Sequence, residues 1–239
     1  MANDWFRFKQ FTIYQDRCAM KVSTDACIQG ALAAGSCATG RALDIGAGTG
    51  LLSLMMAQQN PQLYIDALEL DADAWQQAGD NCRQSPWAAN IRLWHTSLQD
   101  FVPPADALYD FIVCNPPFFH NQLQAPQQQR NQARHSITLD KETLAQNLYR
   151  LLTATGAACI MYPASEWEAW HETAGRYNLY AQRTLRVIPM PSKACNRVIG
   201  WYSQQPQTQP ATEELVIYKA PGVYTASLHN LLQPFYLNL

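Results

Sequence analysis

The chain has 239 residues and a mass of 26.9 kDa, which exceeds one typical domain of about 100 to 150 residues and is too short for two ample ones. Hydrophobic residues make up 48% and charged residues only 15%, so the core is well supplied while the surface must rely on uncharged polar groups such as the 23 glutamines. A net charge of −2 excludes the strongly basic profile of a protein that holds nucleic acid by bulk attraction.

The cysteines and the N-terminus exclude two further classes. The seven cysteines are odd in number, widely spread and never spaced as CxxC, which argues against a disulfide framework and against a zinc site. The segment MANDWFRFKQ lacks the pattern of a signal peptide, and no apolar run approaches the ~20 residues that cross a bilayer. We therefore expect a soluble cytoplasmic protein with no metal and no membrane contact.

Short apolar runs alternate with amphipathic stretches along the chain, as expected of βαβ units. The candidate strands, in chain order, are 41–45, 63–70, 91–95, 109–114, 157–162, 179–188, 198–203 and 215–219. The candidate helices are 25–35, 50–59, 73–83, 141–152 and 166–177. Residues 122–132, rich in glutamine, predict a long loop. Because the last strands follow one another without helices, we expect an α/β fold: a doubly wound, seven-stranded, mostly parallel sheet with an antiparallel C-terminal edge.

A glycine-rich turn follows the first of these strands. Gly46, Gly48 and Gly50 come where a helix should begin, and glycines there let backbone amides approach a ligand closely. A dinucleotide fingerprint would need glycine where Leu51 stands, which disfavours a dehydrogenase. With Asp44 ahead of it, the D-x-G-x-G-x-G pattern resembles the first motif of S-adenosylmethionine-dependent methyltransferases of the doubly wound class, and a plain tight turn is the alternative.

An acidic residue ends the second strand at the spacing of a ribose-binding carboxylate. Glu69 lies nineteen residues after Gly50, and a carboxylate can accept hydrogen bonds from both ribose hydroxyls at once. Asp71 and Asp73 are close by, so an ordinary solvated strand-end acid is the competing interpretation. The paired spacing favours the ribose role.

The sharpest signal is the tetrapeptide Asn115-Pro116-Pro117-Phe118 directly after the buried strand 109–114. Its prolines remove two amide donors and fix the backbone, which leaves carbonyl acceptors beside the Asn115 side chain. Phe118 offers a flat face on which a base can stack. This set suits a planar exocyclic amine whose two hydrogens are accepted while its lone pair faces a methyl donor. A purely structural turn is the minority interpretation.

With both motifs the chain resembles amino methyltransferases that carry an N-P-P-(Y/F) signature, and within them the enzymes that methylate N6 of adenine 37 in valine tRNA. The resemblance extends to Phe11, Asp16–Asp25, Asn81–Trp87 and Phe235–Leu237. It implies S-adenosyl-L-methionine as cofactor and one domain over 1–239, in which residues 1–40 form an extension that contributes to the cofactor pocket. The implied cofactor-binding residues are Lys21, Thr24, Asp44, Gly46, Gly48, Gly50, Glu69, Leu70, Ser97, Leu98 and Asn115. The implied catalytic residues are Asn115, Pro116, Pro117 and Phe118.

Two departures from the family pattern bear on the site. Relatives place an acid near the end of the third strand to meet the cofactor adenine, whereas residues 95–99 contain none; Ser97, Gln99 or a backbone carbonyl could replace it. Phe118 and Phe119 stand where relatives often carry tyrosines.

N-P-P-F followed by histidine also occurs in guanine-N2 methyltransferases of ribosomal RNA, but His120 comes one residue late for that pattern.

Charge is unevenly distributed along the chain. Residues 60–110 carry eight acids and two arginines, whereas residues 173–212 carry five cations and no acid. Local positive charge is what phosphate binding requires. The family resemblance implies the anticodon loop of tRNA as the partner, and the local charge predicts contacts with it through Arg130, Arg134, Arg183, Arg186, Lys193 and Arg197. Each arginine alone would more often be a solvated surface charge. We expect the protein to be a monomer.

Other functions stay open from the residues alone. The acceptor could be guanine N2 of ribosomal RNA, adenine of DNA or a glutamine amide of a protein. The glutamine acceptor is disfavoured because about 40 residues before the first strand leave little room for the helical domain that such enzymes carry. A non-catalytic RNA-binding protein with this fold is the alternative outside enzymes.

Overall fold

The computed structural model describes residues 3–116 and 139–239. Its largest element is an eight-stranded sheet with the strand order β10-β8-β9-β7-β6-β3-β4-β5. The strands are β3 Gly40–Ile45, β4 Leu63–Glu69, β5 Ile91–His95, β6 Tyr109–Cys114, β7 Leu152–Pro163, β8 Tyr180–Ile188, β9 Arg197–Ser203 and β10 Ala211–Val216. Each of these strands overlaps one of the strands that the sequence predicted.

Strand direction follows the prediction of a mostly parallel sheet. β3, β4, β5, β6 and β7 pair in parallel, whereas β9 pairs antiparallel with both β7 and β8. The predicted α/β fold with an antiparallel C-terminal side is confirmed. The sheet has eight strands, each overlapping one of the eight candidate strands, where a seven-stranded sheet was expected; β10 pairs with β8 in parallel.

Helices cover both faces of this sheet. The helices are α1 Thr24–Ala34, α2 Leu51–Gln59, α3 Ala72–Arg83, α4 Lys141–Leu151, α5 Ala164–Arg176 and α6 Ala226–Leu232. Buried residues of α1, α2, α3 and α6 form one apolar cluster with the sheet, and those of α4 and α5 form the other. The two clusters make this a three-layer arrangement, which explains why β3 and β6 are apolar on both faces.

Helix starts are set by short polar side chains. Asp71 accepts a hydrogen bond from the amide of Ala74 at 2.8 Å, and Asp140 accepts from Thr143 at 2.7 Å, which satisfies amides that the first helical turn leaves unpaired. The cap of α1 is Ser23, whose side chain accepts from the amide of Ala26.

Two small sheets were missed by the sequence. β1 Trp5–Arg7 pairs antiparallel with β2 Thr12–Tyr14, and β11 Tyr218–Ala220 pairs with β12 Val223–Tyr224. Strands this short carry too little alternation to be recognised from residue patterns. The first hairpin lies against the C-terminal segment through a bridge between Phe8 and Tyr236.

Two further observations concern the class of protein. All seven cysteines lie within the described residues, and none of them is in a disulfide. Within residues 3–116 and 139–239, none of the helices has both the length and the apolar character needed to cross a bilayer.

Candidate active site

The predicted glycine turn lies at the carboxyl end of β3. Gly46 and Gly48 have φ angles of +73° and +56°, in the left-handed region that glycine enters without steric cost. The amides of Gly46 and Ala47 both donate to the carbonyl oxygen of Leu68, at 2.9 and 2.8 Å, which ties the turn to β4. A Cβ atom built on Gly46 or Gly48 would meet no atom within 4 Å. The turn therefore leaves open space beside its backbone, where a ligand can approach; Gly50, also left-handed, begins α2.

Glu69 lies beside this turn, as its spacing predicted. Its Oε2 accepts a hydrogen bond from the Gly48 amide at 2.7 Å, and its Oε1 accepts from the Asp71 amide at 2.8 Å. The carboxylate thus links the ends of β3 and β4. The adjacent Leu70 is exposed, and its carbonyl oxygen lies 3.1 Å from Nε2 of His95.

Asp44 is buried beneath the glycine turn. Its Oδ2 accepts from the hydroxyl and the amide of Ser53 at 2.6 and 3.1 Å, so it fixes the first turn of α2 against β3. Its Oδ1 is buried and has no partner among the described residues. Burial raises the pKa of Asp44 to about 6, and the two hydrogen bonds from Ser53 oppose that rise.

The end of β5 holds an acid that the sequence analysis did not consider. Ser97 is buried, donates from its hydroxyl to Oδ2 of Asp100 at 2.7 Å, and accepts from the Asp100 amide at 3.1 Å. Asp100 is exposed, and Leu98 beside it is buried. A serine at the expected position thereby holds a carboxylate three residues further along the chain, which no contiguous motif would reveal.

Asn115 and Pro116 follow β6 directly, next to β3 in the sheet. Asn115 is partly buried, and its Oδ1 is inaccessible and has no hydrogen-bond partner within the described part of the chain. A buried amide oxygen without a donor is costly. Within the described part of the chain, this oxygen therefore keeps an unused capacity to accept a hydrogen bond. Pro117 and Phe118, the other two predicted catalytic residues, lie outside the described residues.

A buried glutamine supports the turn from α1. Gln29 is 0% exposed, and its Nε2 donates to the carbonyl oxygens of Cys114 and Cys159 at 2.8 and 3.2 Å. The first of these carbonyls belongs to the peptide that joins β6 to Asn115. Gln29 therefore fixes the orientation of the peptide from which the Asn115 side chain departs. A polar residue among the alanines of α1 was the only sequence signal for it.

The N-terminal extension contacts the same edge of the sheet. Asn81 of α3 joins them, because its Nδ2 donates to the carbonyl oxygens of Tyr14 and Thr49, both at 2.9 Å. Lys21 lies between this hairpin and α1, and Thr24 is the first residue of α1. Nζ of Lys21 is 3.5 Å from Oδ1 of Asp4. The structure thus brings the extension to the glycine turn, through a contact of Asn81 that the sequence analysis did not identify.

Comparison with known proteins places the chain among methyltransferases. Residues 27–147 match the family model described as methyltransferase small domain. A protein of Dyadobacter fermentans named tRNA1(Val) (adenine(37)-N6)-methyltransferase is 42% identical over 98% of both chains. A protein of Pectobacterium carotovorum with the same name is 38% identical over 99% of this chain and 95% of its own. The chain belongs to this family of methyltransferases.

Solved structures agree with the family at the level of the fold. The crystal structure of a predicted O-methyltransferase from Agrobacterium tumefaciens has a TM-score of 0.68 over 90% of this chain and 99% of its own, at 13% identity. A putative RNA methyltransferase from Pyrococcus horikoshii has a TM-score of 0.57, with 79% and 88% covered, at 14% identity. At such identities the likeness concerns the architecture alone.

In this methyltransferase the predicted site residues come together across four adjacent strands. β6, β3, β4 and β5 are neighbours, and the chain leaves β3 toward β4 but returns to its other side at β6. Ligands of open α/β sheets bind at the carboxyl ends of strands where the order reverses in this way. Asp44, the glycine turn, Glu69, Ser97 and Asn115 all lie at or next to those strand ends.

The predicted RNA-binding arginines of the methyltransferase are paired with acids that lie elsewhere in the sequence. Arg183 and Arg186 face Glu213 and Glu214 of β10, at 2.9 and 3.9 Å, and Arg197 lies 3.1 Å from Asp25 of α1. The stretch 173–212 is therefore free of acids in sequence but not in space. Lys193, between β8 and β9, has no ion pair within the described ranges. Arg130 and Arg134 lie outside them, and the RNA contacts of all six residues stay predictions.

Proposed function

We propose that this protein transfers a methyl group from S-adenosyl-L-methionine to the N6 amine of adenine in tRNA, at adenine 37 of valine tRNA. The observation that carries the proposal is the unpaired Oδ1 of Asn115, placed one strand away from the glycine turn. The names of the full-length relatives support the choice of amine and of RNA.

The residues present fit the proposed cofactor. The open space at Gly46 and Gly48 admits a ligand against the backbone, and Glu69 is held beside it for the ribose hydroxyls. We assign the adenine amine of the cofactor to Asp100, which Ser97 orients and which stands in place of the acid that relatives carry. Lys21, Thr24, Asp44, Leu70 and Leu98 complete the proposed pocket. When bound, the cofactor supplies an electrophilic methyl group on a sulfonium sulfur.

The acceptor amine is activated by position. Its two hydrogens are accepted by Oδ1 of Asn115 and by the carbonyl oxygen of Pro116, which favours a pyramidal nitrogen with its lone pair available. With the cofactor bound, this nitrogen would be the atom that receives the methyl group, and the surplus proton of the amine would pass to solvent. We expect the target base, splayed out of the loop, to stack on Phe118, with Pro117 keeping the turn rigid.

RNA binding is assigned to local cations. Lys193 carries no ion pair among the described residues and lies between β8 and β9, at the sheet edge that holds Asn115. Arg130 and Arg134 follow the Asn115 turn in the sequence. We expect these three residues to contribute more to RNA affinity than Arg183, Arg186 and Arg197 do, because nearby carboxylates offset much of the charge of the latter three.

We further propose that residues 1–239 work as one catalytic domain and as a monomer, with residues 1–40 completing the cofactor pocket. Hydrogen bonds from Asn81 to Tyr14 and Thr49 support this arrangement, as does the contact of Gln29 with Cys114. Sedimentation at assay concentrations tests the monomer.

The decisive experiment uses total tRNA from cells that lack this gene. The tRNA is incubated with the protein and labelled cofactor, and its nucleosides are identified by mass spectrometry after isolation of single tRNAs. We expect N6-methyladenosine in valine tRNA alone. Methylguanosine, or label in ribosomal RNA or protein, would contradict the proposed acceptor, and cofactor binding without transfer to any acceptor would favour the non-catalytic alternative.

A further inference from the structure

The outward face of the N-terminal hairpin exposes two aromatic rings. Trp5 of β1 and Tyr14 of β2 are directly paired across the strands, so their side chains share one face of the hairpin. They are 54% and 40% exposed, whereas Phe8 and Ile13 on the other face are buried. Large apolar side chains exposed together on a small element mark an interaction surface more often than isolated ones do.

A cleft lies beside the ring of Trp5. It has a volume of about 290 Å³ and is lined by Trp5, Arg7, Leu237 and Asn238, among others, which is close to the lower end of small-ligand sites, roughly 300 Å³. Arg7 lies on the same outward face as Trp5, and Lys9 lies two residues further along the chain. No carboxylate among the described residues pairs with either cation. The cleft thus combines a flat apolar face with uncompensated positive charge.

The hairpin is joined to the candidate active site. Asn81 accepts from the amide of Tyr14 at 3.0 Å and donates to the carbonyl oxygens of both Tyr14 and Thr49. One side chain therefore connects the aromatic pair to the glycine turn.

We infer that the outward face of the hairpin, formed by Trp5, Tyr14 and Arg7, binds a single-stranded segment of the RNA substrate outside the pocket for the reacting base. Single strands bind by stacking bases on aromatic rings while cations follow the backbone, and both kinds of group are present here. Trp, Tyr and Arg are also favoured at protein interfaces, but the tRNA substrate of the proposed function favours RNA as the occupant. The inference rests on the proposed function, because it takes tRNA as the substrate.

Binding of fluorescent valine tRNA to the full chain, measured by anisotropy, tests the inference independently of catalysis. We expect Trp5→Ala to weaken binding about tenfold and Trp5→Phe to retain most of it. Arg7→Gln should lower the slope of log affinity against log salt by about 1. Tyr64→Ala is the matched control, since Tyr64 is 62% exposed at the start of β4, at the opposite edge of the sheet, and should bind as the unmodified protein does.

Several outcomes would overturn the inference. Equal affinities of Trp5→Ala and Tyr64→Ala for tRNA would remove the stacking role. A parallel loss of cofactor affinity in Trp5→Ala would mean that the hairpin acts through the glycine turn. Self-association that Trp5→Ala abolishes would identify a second copy of the chain as the partner. An unmodified protein that neither binds nor methylates tRNA would instead refute the proposed function.

Discussion

The two sides of the active site differ in how many of their polar atoms are bonded within the protein. At the glycine turn, both oxygens of Glu69 accept backbone amides, and Oδ2 of Asp44 accepts twice from Ser53. At the β6 turn, Oδ1 of Asn115 and Oε1 of Gln29 are buried with no partner in the described part of the chain. The glycine-turn side, the proposed cofactor side, is thus tied together by four hydrogen bonds and leaves one buried oxygen of this set, Oδ1 of Asp44, without a described partner, whereas the β6 side leaves two. We expect the substrate amine to donate to the one on Asn115.

The largest effect should come from removing the unmet acceptor. We expect Asn115→Ala to lower kcat on valine tRNA by about a thousandfold, because a preorganised group that acts in the transition state contributes on the order of 100- to 1000-fold. Cofactor affinity, measured by calorimetry, should change less than about twofold. Equal losses of methyl transfer and of cofactor binding would mean that Asn115 binds the cofactor, and the two sides of the site would then not differ in function.

The buried carboxylate on the cofactor side should make stability depend on pH. The pKa of Asp44 rises from 3.8 to about 6 on folding, so the folded state binds the proton more tightly. Its contribution to stability is complete below about pH 4 and is lost as pH rises through about 6, a change of about 3 kcal/mol. Urea unfolding at several pH values should show Asp44→Asn losing this dependence. Identical pH profiles for the two proteins would contradict the raised pKa.

Glu69 tests whether the cofactor side serves binding rather than turnover. Replacing it by glutamine keeps the shape but removes the charge and one of the two oxygens that accept the Gly48 and Asp71 amides. A charged hydrogen bond contributes about 1.5 to 3 kcal/mol. We expect cofactor affinity to fall about tenfold with kcat at saturation little changed. Asp73→Asn, an exposed acid in the first turn of α3, is the matched control. A fall in kcat with unaltered affinity would argue against the ribose role.

The smallest effect should come from the residue that positions Asn115 without touching substrate. In Gln29→Met the carbonyls of Cys114 and Cys159 lose their donor, and we expect kcat to fall about tenfold while KM for tRNA and cofactor affinity stay constant. Asn147→Leu removes another buried amide, on α4 at the other face of the sheet, and should lower the melting temperature without changing kcat. Equal kcat values for both variants would reduce Gln29 to a structural role.

Much of the site was predictable because its signals are local. Asp44 to Gly50 and Asn115 to Phe118 are contiguous motifs, and each follows an apolar strand whose carboxyl end is the binding edge of a parallel sheet. Glu69 could be predicted from its spacing after the glycine turn. By contrast, Asp100 serves the end of β5 through a side-chain bond to Ser97, and Gln29 acts on a peptide 85 positions away, so neither leaves a pattern in the sequence.

The charge prediction shows the same limit. Residues 173–212 contain no acid, and the sequence alone predicts a free basic surface. In the folded chain β10 lies beside β8 and the first turn of α1 lies beside β9, so Glu213, Glu214 and Asp25 meet the arginines. Strand neighbours are set by topology rather than by distance along the chain.

By itself the sequence determined the elements of the main sheet, its parallel strands and the two motifs, because hydrophobic periodicity and glycine or proline chemistry act over a few residues. It did not predict the two small sheets or α6. Only the tertiary structure decided which side chains complete the site. Strand order brings β3 and β6 together, and burial leaves Asn115 with an unpaired oxygen while satisfying Glu69. The strand order and the burial of these side chains both follow from packing distant segments into one core, where buried polar atoms need a hydrogen-bond partner from the protein or from a ligand.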